Sequence, residues 1–133
     1  MNRDDYVALL SSLAPDGEQK LQAHIADFGE ILPHVLAEEL LTGPLLQHLQ
    51  NADRRAALSY CNVIETMWNT GDEEIRNVVW VTVLERLTDV PELWQRFGCC
   101  ISRQFLQFIN TEYPLQNTWL GDIQKLSYRP EPF

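Results

Sequence analysis

The sequence contains very little lysine. Lys20 and Lys125 are the only two lysines among 133 residues, and ten basic residues in all stand against 19 acidic ones, which gives a formal net charge of −9. An acidic chain repels phosphate backbones, so direct nucleic-acid binding is disfavoured. The imbalance leaves two alternatives: acidity that serves solubility alone, or an acidic face that attracts a basic partner.

Cysteine is also scarce, and long apolar runs are absent. The chain has three cysteines, an odd number, and it does not begin with a secretory signal, which together fit a reducing cytoplasm. No apolar run approaches the ~20 residues that span a bilayer. We therefore expect a soluble, cytoplasmic protein that does not enter a membrane.

The sequence lacks the motifs that identify common enzymes. It has no glycine-rich phosphate loop, no His-Glu-x-x-His, no Gly-x-Ser-x-Gly and no Cys-x-x-Cys. Glu30, His34 and Glu38 recur at four-residue spacing and could form a metal or acid–base cluster on a continuous helix, but Pro33 interrupts that helix. A surface histidine beside salt-bridging carboxylates is the simpler interpretation. We predict that the protein is not an enzyme and has no catalytic residue, no metal site and no cofactor.

Two histidines and two adjacent cysteines are also candidate catalytic or redox residues. His24 and His48 are isolated in the sequence, and we interpret them as surface or boundary residues. Cys99 and Cys100 are adjacent, and they could be a redox pair or small apolar filler at a helix start. The glycine before them and the isoleucine after them favour filler.

What the sequence does contain is a series of apolar segments, each bounded by residues that start or stop helices. With 45% hydrophobic residues, the chain can bury the core of one domain without metals or disulfides. We predict an all-α fold, a single domain over residues 1–133, built from about six to eight helices in antiparallel hairpins. Thr42, Gly43 and Pro44 are predicted to end the third helix, and residues 127–133, with two prolines, to form a flexible tail.

Apolar periodicity predicts which side chains pack together. In the second helix, Leu21, Ile25 and Phe28 lie on one side, and Gly29 is predicted to end the helix. After residue 114 the periodicity fades. There, isolated apolar residues are expected to anchor the chain: Trp119, Leu120, Ile123 and Leu126.

The stretch from Asp72 to Leu87 is predicted to be the central helix. Its middle, residues 78–84, is rich in valine and could also form a buried strand. Gly71 as a stop and Asp72 as an N-cap, followed by two glutamates that complement the helix dipole, favour a helix. Only two residues separate it from the preceding helix, which is predicted to run from Asp53 to Asn69. The two helices therefore form a hairpin, and we expect Trp80 to be buried against that preceding helix.

Acidic residues cluster at the predicted helix starts. Capping and helix-dipole interactions explain each cluster singly, but they do not explain the shortage of lysine on the surface. We therefore predict an acidic patch that binds a basic partner. Core packing accounts for most of the tryptophans, with an exposed aromatic anchor as the alternative. The predicted partner-binding residues are Asp72, Glu73, Glu74, Glu38, Glu39, Trp68 and Tyr60.

Two regions of the chain resemble a known family. Residues 28–35, Phe-Gly-Glu-Ile-Leu-Pro-His-Val, are followed by Leu40 and Leu41, and residues 71–79, Gly-Asp-Glu-Glu-Ile-Arg-Asn-Val-Val, are followed by Val-Leu-Glu-Arg-Leu at 83–87. These segments look like a family of small, acidic, all-helical bacterial proteins. Its members resemble the immunity proteins encoded beside toxins of contact-dependent growth inhibition and other polymorphic toxin systems. The resemblance covers roughly residues 28–110 and is most specific at the helix start around Gly71.

The resemblance implies a non-enzymatic inhibitor. Such a protein binds the C-terminal domain of its cognate toxin, often a nuclease, and blocks the toxin's active site or substrate groove. The alternative is a helical protein–protein interaction adaptor, which would show the same hairpins and the same lack of motifs but would have no toxin partner.

Overall fold

The computed structural model describes residues 1–116 and Leu126. Over these residues the chain forms seven helices and no strand, which confirms the predicted all-α fold. The helices are α1 Arg3–Ser11, α2 Gly17–Phe28, α3 33–50, α4 Arg54–Thr70, α5 73–88, α6 Pro91–Gly98 and α7 Arg103–Gln116.

The helix starts and stops follow the predicted caps. The side chain of Asp72 accepts a hydrogen bond from the backbone N–H of Ile75 at 3.0 Å and so begins α5. Asp53 caps α4 in the same way, through the backbone N–H of Ala56 at 3.2 Å. Gly29 ends α2 in the left-handed conformation, with φ of +73°, which glycine adopts without steric cost.

The third helix does not end where the sequence predicted. It continues through Gly43 and Pro44, because Glu38–Thr42 forms a π-helical turn between the α-helical segments Pro33–Ala37 and Gly43–Gln50. A proline inside an α-helix collides with the carbonyl four residues earlier and lacks an N–H group. The wider π turn, in which the Gly43 N–H bonds to the Glu38 carbonyl oxygen, accommodates that ring. The predicted break is therefore wrong.

The central helix α5 is a helix, as predicted, and it too contains a π-helical segment. Val78–Leu84 lies between the α-helical segments Glu73–Asn77 and Glu85–Thr88. Its apolar side chains face the core, apart from Val81, which is exposed, and Trp80, which is partly buried. Helix α5 contacts both α3 and α4, so it has neighbours on two sides. The Trp80 ring packs against Trp68 of α4, as predicted, but it is partly and not fully buried.

The buried side of α2 differs from the predicted one. Leu21 and His24 are buried, whereas Ile25 is 37% exposed and Phe28 is 46% exposed. The helix is turned so that a histidine, not its two large apolar neighbours, faces the core. A fully buried imidazole requires hydrogen-bond partners.

The N-terminal residues and α1 contact both the start of α3 and the end of α4. The Tyr6 hydroxyl donates to the backbone oxygen of Pro33 at 2.7 Å, and the terminal amine of Met1 donates to the Thr70 oxygen at 2.6 Å. Tyr6 is completely buried. Helix α1 therefore covers the α4–α5 joint and the start of α3.

The end of the described chain is held by one apolar residue. Leu126 is buried, and its backbone exchanges two hydrogen bonds of 2.8 Å with the Asn110 side chain. This confirms Leu126 as an anchor. The other predicted anchors and the predicted tail lie outside the described residues: Trp119, Leu120, Ile123 and 127–133.

Candidate functional site

Three partly exposed aromatic rings from three helices meet at one place on the protein. Trp68 lies near the end of α4, Trp80 in α5 and Phe108 in α7. The ring centroids are 5.5 Å apart for the two tryptophans, 4.8 Å for Trp68 and Phe108, and 5.8 Å for Trp80 and Phe108. We call these three residues the aromatic surface. Aromatic rings that keep one side exposed are typical of protein-binding anchors.

The short connection between α4 and α5 brings the two tryptophans together. Because Thr70 is followed within three residues by the first residue of α5, the helices fold back on each other. Trp68 and Trp80 then face each other across the hairpin. Phe108 comes from a distant part of the chain and completes the cluster.

Arg76 fixes the orientation of Trp68. Its guanidinium carbon lies 5.4 Å from the Trp68 ring centroid, and its Nε donates to the Trp68 backbone oxygen at 2.9 Å. The first contact is a cation–π interaction. The second satisfies a carbonyl in the last turn of α4, where helix carbonyls lack intrahelical partners. Trp68 is therefore held in place before any partner arrives.

Two depressions flank Trp68. Trp68 and Trp80 line the first, together with polar side chains from the start of α5: Glu73, Arg76 and Asn77. Trp68 and Phe108 line the second, together with Glu65, Asn69, Ser102, Gln104 and Phe105. Each depression is therefore lined by aromatic rings and by one glutamate.

Glu65 lines the second depression and also holds Ser102, the residue that precedes α7. Its carboxylate accepts hydrogen bonds from the Ser102 hydroxyl and, at 3.0 Å, from the Ser102 backbone N–H. The same hydroxyl accepts from the Phe105 N–H at 3.2 Å. This chain of bonds joins α4 to α7 and holds Phe108 against Trp68.

The predicted acidic residues of α5 are placed differently from one another. Glu73 is exposed at the edge of the first depression, beside Trp68. Asp72 is committed to capping α5. Glu74 accepts hydrogen bonds from two nitrogens of the Arg3 guanidinium, from Nη2 at 3.0 and 3.1 Å and from Nε at 3.2 Å. Of the three, Glu73 is the carboxylate that the structure places on the candidate surface.

The second predicted acidic pair lies on α3, where both carboxylates already have partners. Glu38 is 3.5 Å from Nε of Arg86, and Glu39 is 2.6 Å from Nδ1 of His24. Tyr60, the other predicted anchor, is only 4% exposed and packs on the ring of His48. The structure therefore brings Trp68 and Glu73 together in one depression, whereas Glu38, Glu39 and Tyr60 line neither of the two depressions beside Trp68.

His24 is a buried structural residue, contrary to its predicted surface or boundary position. Its Nε2 accepts a hydrogen bond from the Leu32 backbone N–H at 3.0 Å. An N–H group can only donate, so the ring proton is on Nδ1, which donates to Glu39. The imidazole links α2, the α2–α3 connection and α3. The sequence did carry a signal, since His24 falls one turn after Leu21 on the side of the helix that carries the apolar residues.

The histidine and carboxylates of the considered metal cluster do not converge. His34 is hydrogen-bonded through Nδ1 to the Thr82 hydroxyl at 2.6 Å, while Glu38 pairs with Arg86. Within residues 1–116 and Leu126, no group of three or more histidine, cysteine, aspartate or glutamate side chains could hold a metal ion. Among the same residues, no helix is both long and apolar enough to cross a membrane.

The adjacent cysteines point to different neighbours. The Cys99 thiol lies 3.6 Å from the Gln95 backbone oxygen, one turn earlier in α6. The neighbouring Cys61 thiol of α4, more than the charge of Arg54, lowers the pKa of the Cys100 thiol against the opposing effect of burial. All three cysteines are buried and unbridged.

A family described as a domain of unknown function, DUF7674, matches residues 7–116. The chain belongs to this family. The DUF7674 match includes Trp68, Trp80 and Phe108, so the aromatic surface is built entirely from the family domain. Comparisons with curated proteins and with solved structures gave no significant match.

Proposed function

We propose that the protein is a non-enzymatic immunity protein that binds a basic toxin domain through the aromatic surface. A nuclease is the first candidate for that toxin. The observation that supports this most is the position of Trp68. It is partly exposed, held by Arg76, and flanked by two depressions that each carry a glutamate. A net charge of −9 complements a partner rich in lysine and arginine.

The aromatic surface would supply most of the affinity. Tryptophan is enriched among the few residues that dominate binding energy at protein interfaces. Trp68, Trp80 and Phe108 already contact one another, so little side-chain freedom is lost when a partner covers them. A rigid aromatic patch is therefore an efficient anchor.

The carboxylates would supply selectivity for a basic partner. A nuclease holds phosphates with lysine and arginine, and carboxylates placed in that cleft would replace the phosphates and exclude the substrate. Glu73 is the first choice for this role, since it has no ion pair within the described part of the chain. Glu38, Glu39 and Glu74 would have to leave partners in their own chain before they could pair with a toxin.

The test measures the association of the purified protein with the C-terminal domain of its proposed cognate toxin. Glu73→Lys is expected to slow association by roughly tenfold at low salt, because the carboxylate attracts a basic partner. Asp27→Lys is the matched control: it makes the same charge change at an exposed position of α2. Equal slowing by both variants would mean that net charge, and not this surface, guides binding.

Trp68→Ala tests the anchor. We expect the dissociation constant to rise about 30-fold or more, which corresponds to ~2 kcal/mol, with the toxin no longer neutralised in cells that produce both proteins. Circular dichroism would establish that the variant is folded under the assay conditions. Unchanged affinity of the folded variant would exclude the aromatic surface as the binding site.

A further inference from the structure

A groove lies between α1 and α2. Its volume is about 360 Å³, at least twice that of either depression beside Trp68, which measure about 140 and 180 Å³. No described residue lines both this groove and one of those depressions. The apolar residues of its described lining are Val7, Ala8, Leu21, Ile25 and Ile31. The fold therefore has a second, larger apolar surface that the proposed function does not use.

The hydrogen bonds of His24 keep Ile25 in this groove. Nδ1 of the buried imidazole lies 2.6 Å from the Glu39 carboxylate, and Nε2 lies 3.0 Å from the Leu32 backbone nitrogen. Consecutive residues of an α-helix point about 100° apart, so a rotation of α2 that buried Ile25 would break both bonds and leave core polar groups unpaired. The 37% exposure of Ile25 is thus fixed by the fold, and the groove exists before any partner arrives.

The groove is elongated. On α1 its lining extends from Arg3 to Ser11, and on α2 from Glu18 to Ile25, which at about 1.5 Å per residue is roughly 12 and 10 Å. Two turns of a partner helix cover a similar length, and over two turns the residues i, i+4 and i+7 share one face. The apolar face of a helix therefore matches this groove better than a compact small molecule does.

Each end of the groove carries a carboxylate. The connection between α1 and α2 is short, and a Cβ at Gly17 would overlap the Ser11 backbone oxygen, so α2 folds back along α1. Glu18 therefore lies toward the Ser11 end and Asp4 toward the other end. Helix-dipole complementarity accounts for an acid in each first turn, but both acids are exposed and neither has an ion pair within the described chain.

The positive charge beside the groove is already compensated. Arg3 is the only basic residue of the described lining, and its guanidinium is paired with Glu74 at 3.0 Å. The groove thus offers an apolar floor between two negative ends. The complementary occupant has apolar residues between two positive ends.

We propose that the α1–α2 groove binds an amphipathic helical segment of a protein partner, with apolar residues on one face and a lysine or arginine toward each end. A second copy of this chain fits less well, because it would place carboxylates against carboxylates. An anionic lipid surface would place its phosphates against them. The groove is separate from the aromatic surface, so this proposal does not depend on the proposed function.

The probes are three fluorescent peptides of about 16 residues, long enough to form an isolated helix. All carry leucines at positions i, i+4 and i+7, and they differ only in having lysine, glutamine or glutamate at both ends. Fluorescence anisotropy measures their binding to the full-length chain. At low salt we expect the lysine peptide to bind about tenfold more tightly than the glutamine peptide, and the glutamate peptide to bind most weakly, with differences that shrink as salt rises. Failure of the lysine peptide to bind, or equal affinities for all three, would overturn the proposal.

Two matched pairs of variants locate the binding, with circular dichroism to establish that each variant is folded. Ile25→Asn should weaken binding of the lysine peptide about tenfold, whereas Val81→Asn, at an aliphatic position of α5 that is 43% exposed, should leave it unchanged. Glu18→Lys should weaken it about tenfold. Asp27→Lys makes a similar charge reversal at an exposed position of α2 outside the groove and should weaken it less than about twofold. Equal losses within either pair would contradict binding in the groove.

The other two occupants are tested by sedimentation velocity and by vesicles of phosphatidylglycerol. We expect neither self-association nor vesicle binding to depend on Ile25. A dimer that dissociates in Ile25→Asn would identify a second copy as the occupant, and vesicle binding lost in that variant would identify a lipid surface; either result overturns the proposal. None of these measurements involves the proposed toxin, so failure of one proposal is distinguishable from failure of the other.

Discussion

Trp68 and Trp80 stack across the α4–α5 hairpin, with ring centroids 5.5 Å apart and ring planes inclined by 23°. Both rings also touch Phe108 of α7. The same three side chains therefore pack α4, α5 and α7 together and also form the surface proposed to bind a partner. Substitutions here affect stability and binding together, so the two must be measured separately.

The loss of Trp80 should destabilise the fold, but by less than the loss of a completely buried tryptophan. Removing a fully buried tryptophan side chain typically costs 3–5 kcal/mol. Because Trp80 keeps part of its surface in water, we expect Trp80→Ala to lower the free energy of unfolding by about 2 kcal/mol. Urea unfolding followed by circular dichroism measures this. A cost similar to that of Val81→Ala, at the exposed neighbouring position, would show that the stacking contributes nothing.

His24 should be among the least replaceable polar residues. His24→Ala leaves the Leu32 N–H without an acceptor and the Glu39 carboxylate without its donor, and it opens a cavity in the core. We expect a loss of about 3 kcal/mol in the free energy of unfolding. His48→Ala is the control, because His48 is partly exposed and its ring packs on the Tyr60 ring. This variant should cost no more than about 1 kcal/mol.

Tyr6 makes the stability depend on pH in the alkaline range. Burial, followed by the negative charge of Glu74, raises the pKa of the Tyr6 phenol well above its usual value of 10.0. The unfolded chain therefore releases this proton at a lower pH than the folded chain does. The protonated Tyr6 phenol therefore contributes its full share to the free energy of unfolding below about pH 10. That share is lost as the pH rises toward the folded-state pKa, at up to ~1.4 kcal/mol per pH unit.

Tyr6→Phe isolates this contribution. The variant loses the hydrogen bond to the Pro33 oxygen, so we expect it to be less stable at pH 7 by about 1 kcal/mol. Above pH 10 its stability should fall less steeply than that of the unmodified protein. Chemical unfolding at pH 7, 9, 10 and 11 compares the two slopes, and parallel curves would rule out the assignment to Tyr6.

Two glycines should resist substitution for different reasons. A Cβ at Gly71 would overlap the Met67 backbone oxygen and lie 2.6 Å from Cγ2 of Ile75. We expect Gly71→Ala to cost about 2 kcal/mol through this overlap. Gly29 has open space around it, so Gly29→Ala should cost about 1 kcal/mol from its left-handed backbone alone. Gly29→Asn should recover part of that loss, whereas Gly71→Asn should not.

Local signals in the sequence predicted the helix ends well. Asp72 and Gly29 act through contacts within a few residues, and such contacts can be read from the order of residues. Pro44 misled the prediction, because a proline normally ends a helix. The helix accommodates Pro44 because of the π turn before it, and no local sequence pattern predicts that turn.

The candidate site was predictable only in part. Trp68 and Glu73 were named from the sequence, because an aromatic residue near a hairpin and a glutamate at a helix start are both visible locally. The contribution of Phe108 depends on where α7 crosses the hairpin, and that position is set by tertiary packing. The partners of Glu39 and Glu74 come from α2 and α1, so their ion pairs could not be inferred from neighbouring residues.

The two π-helical segments, Glu38–Thr42 and Val78–Leu84, lie against each other in the core. A π turn uses more residues than an α turn over a similar path. A relative could therefore lose one residue inside either segment and convert it to α-helix without a change in any loop. When sequences of this family are aligned, single-residue gaps in the middle of α3 or α5 should accordingly be accepted as genuine, and not moved to the nearest loop.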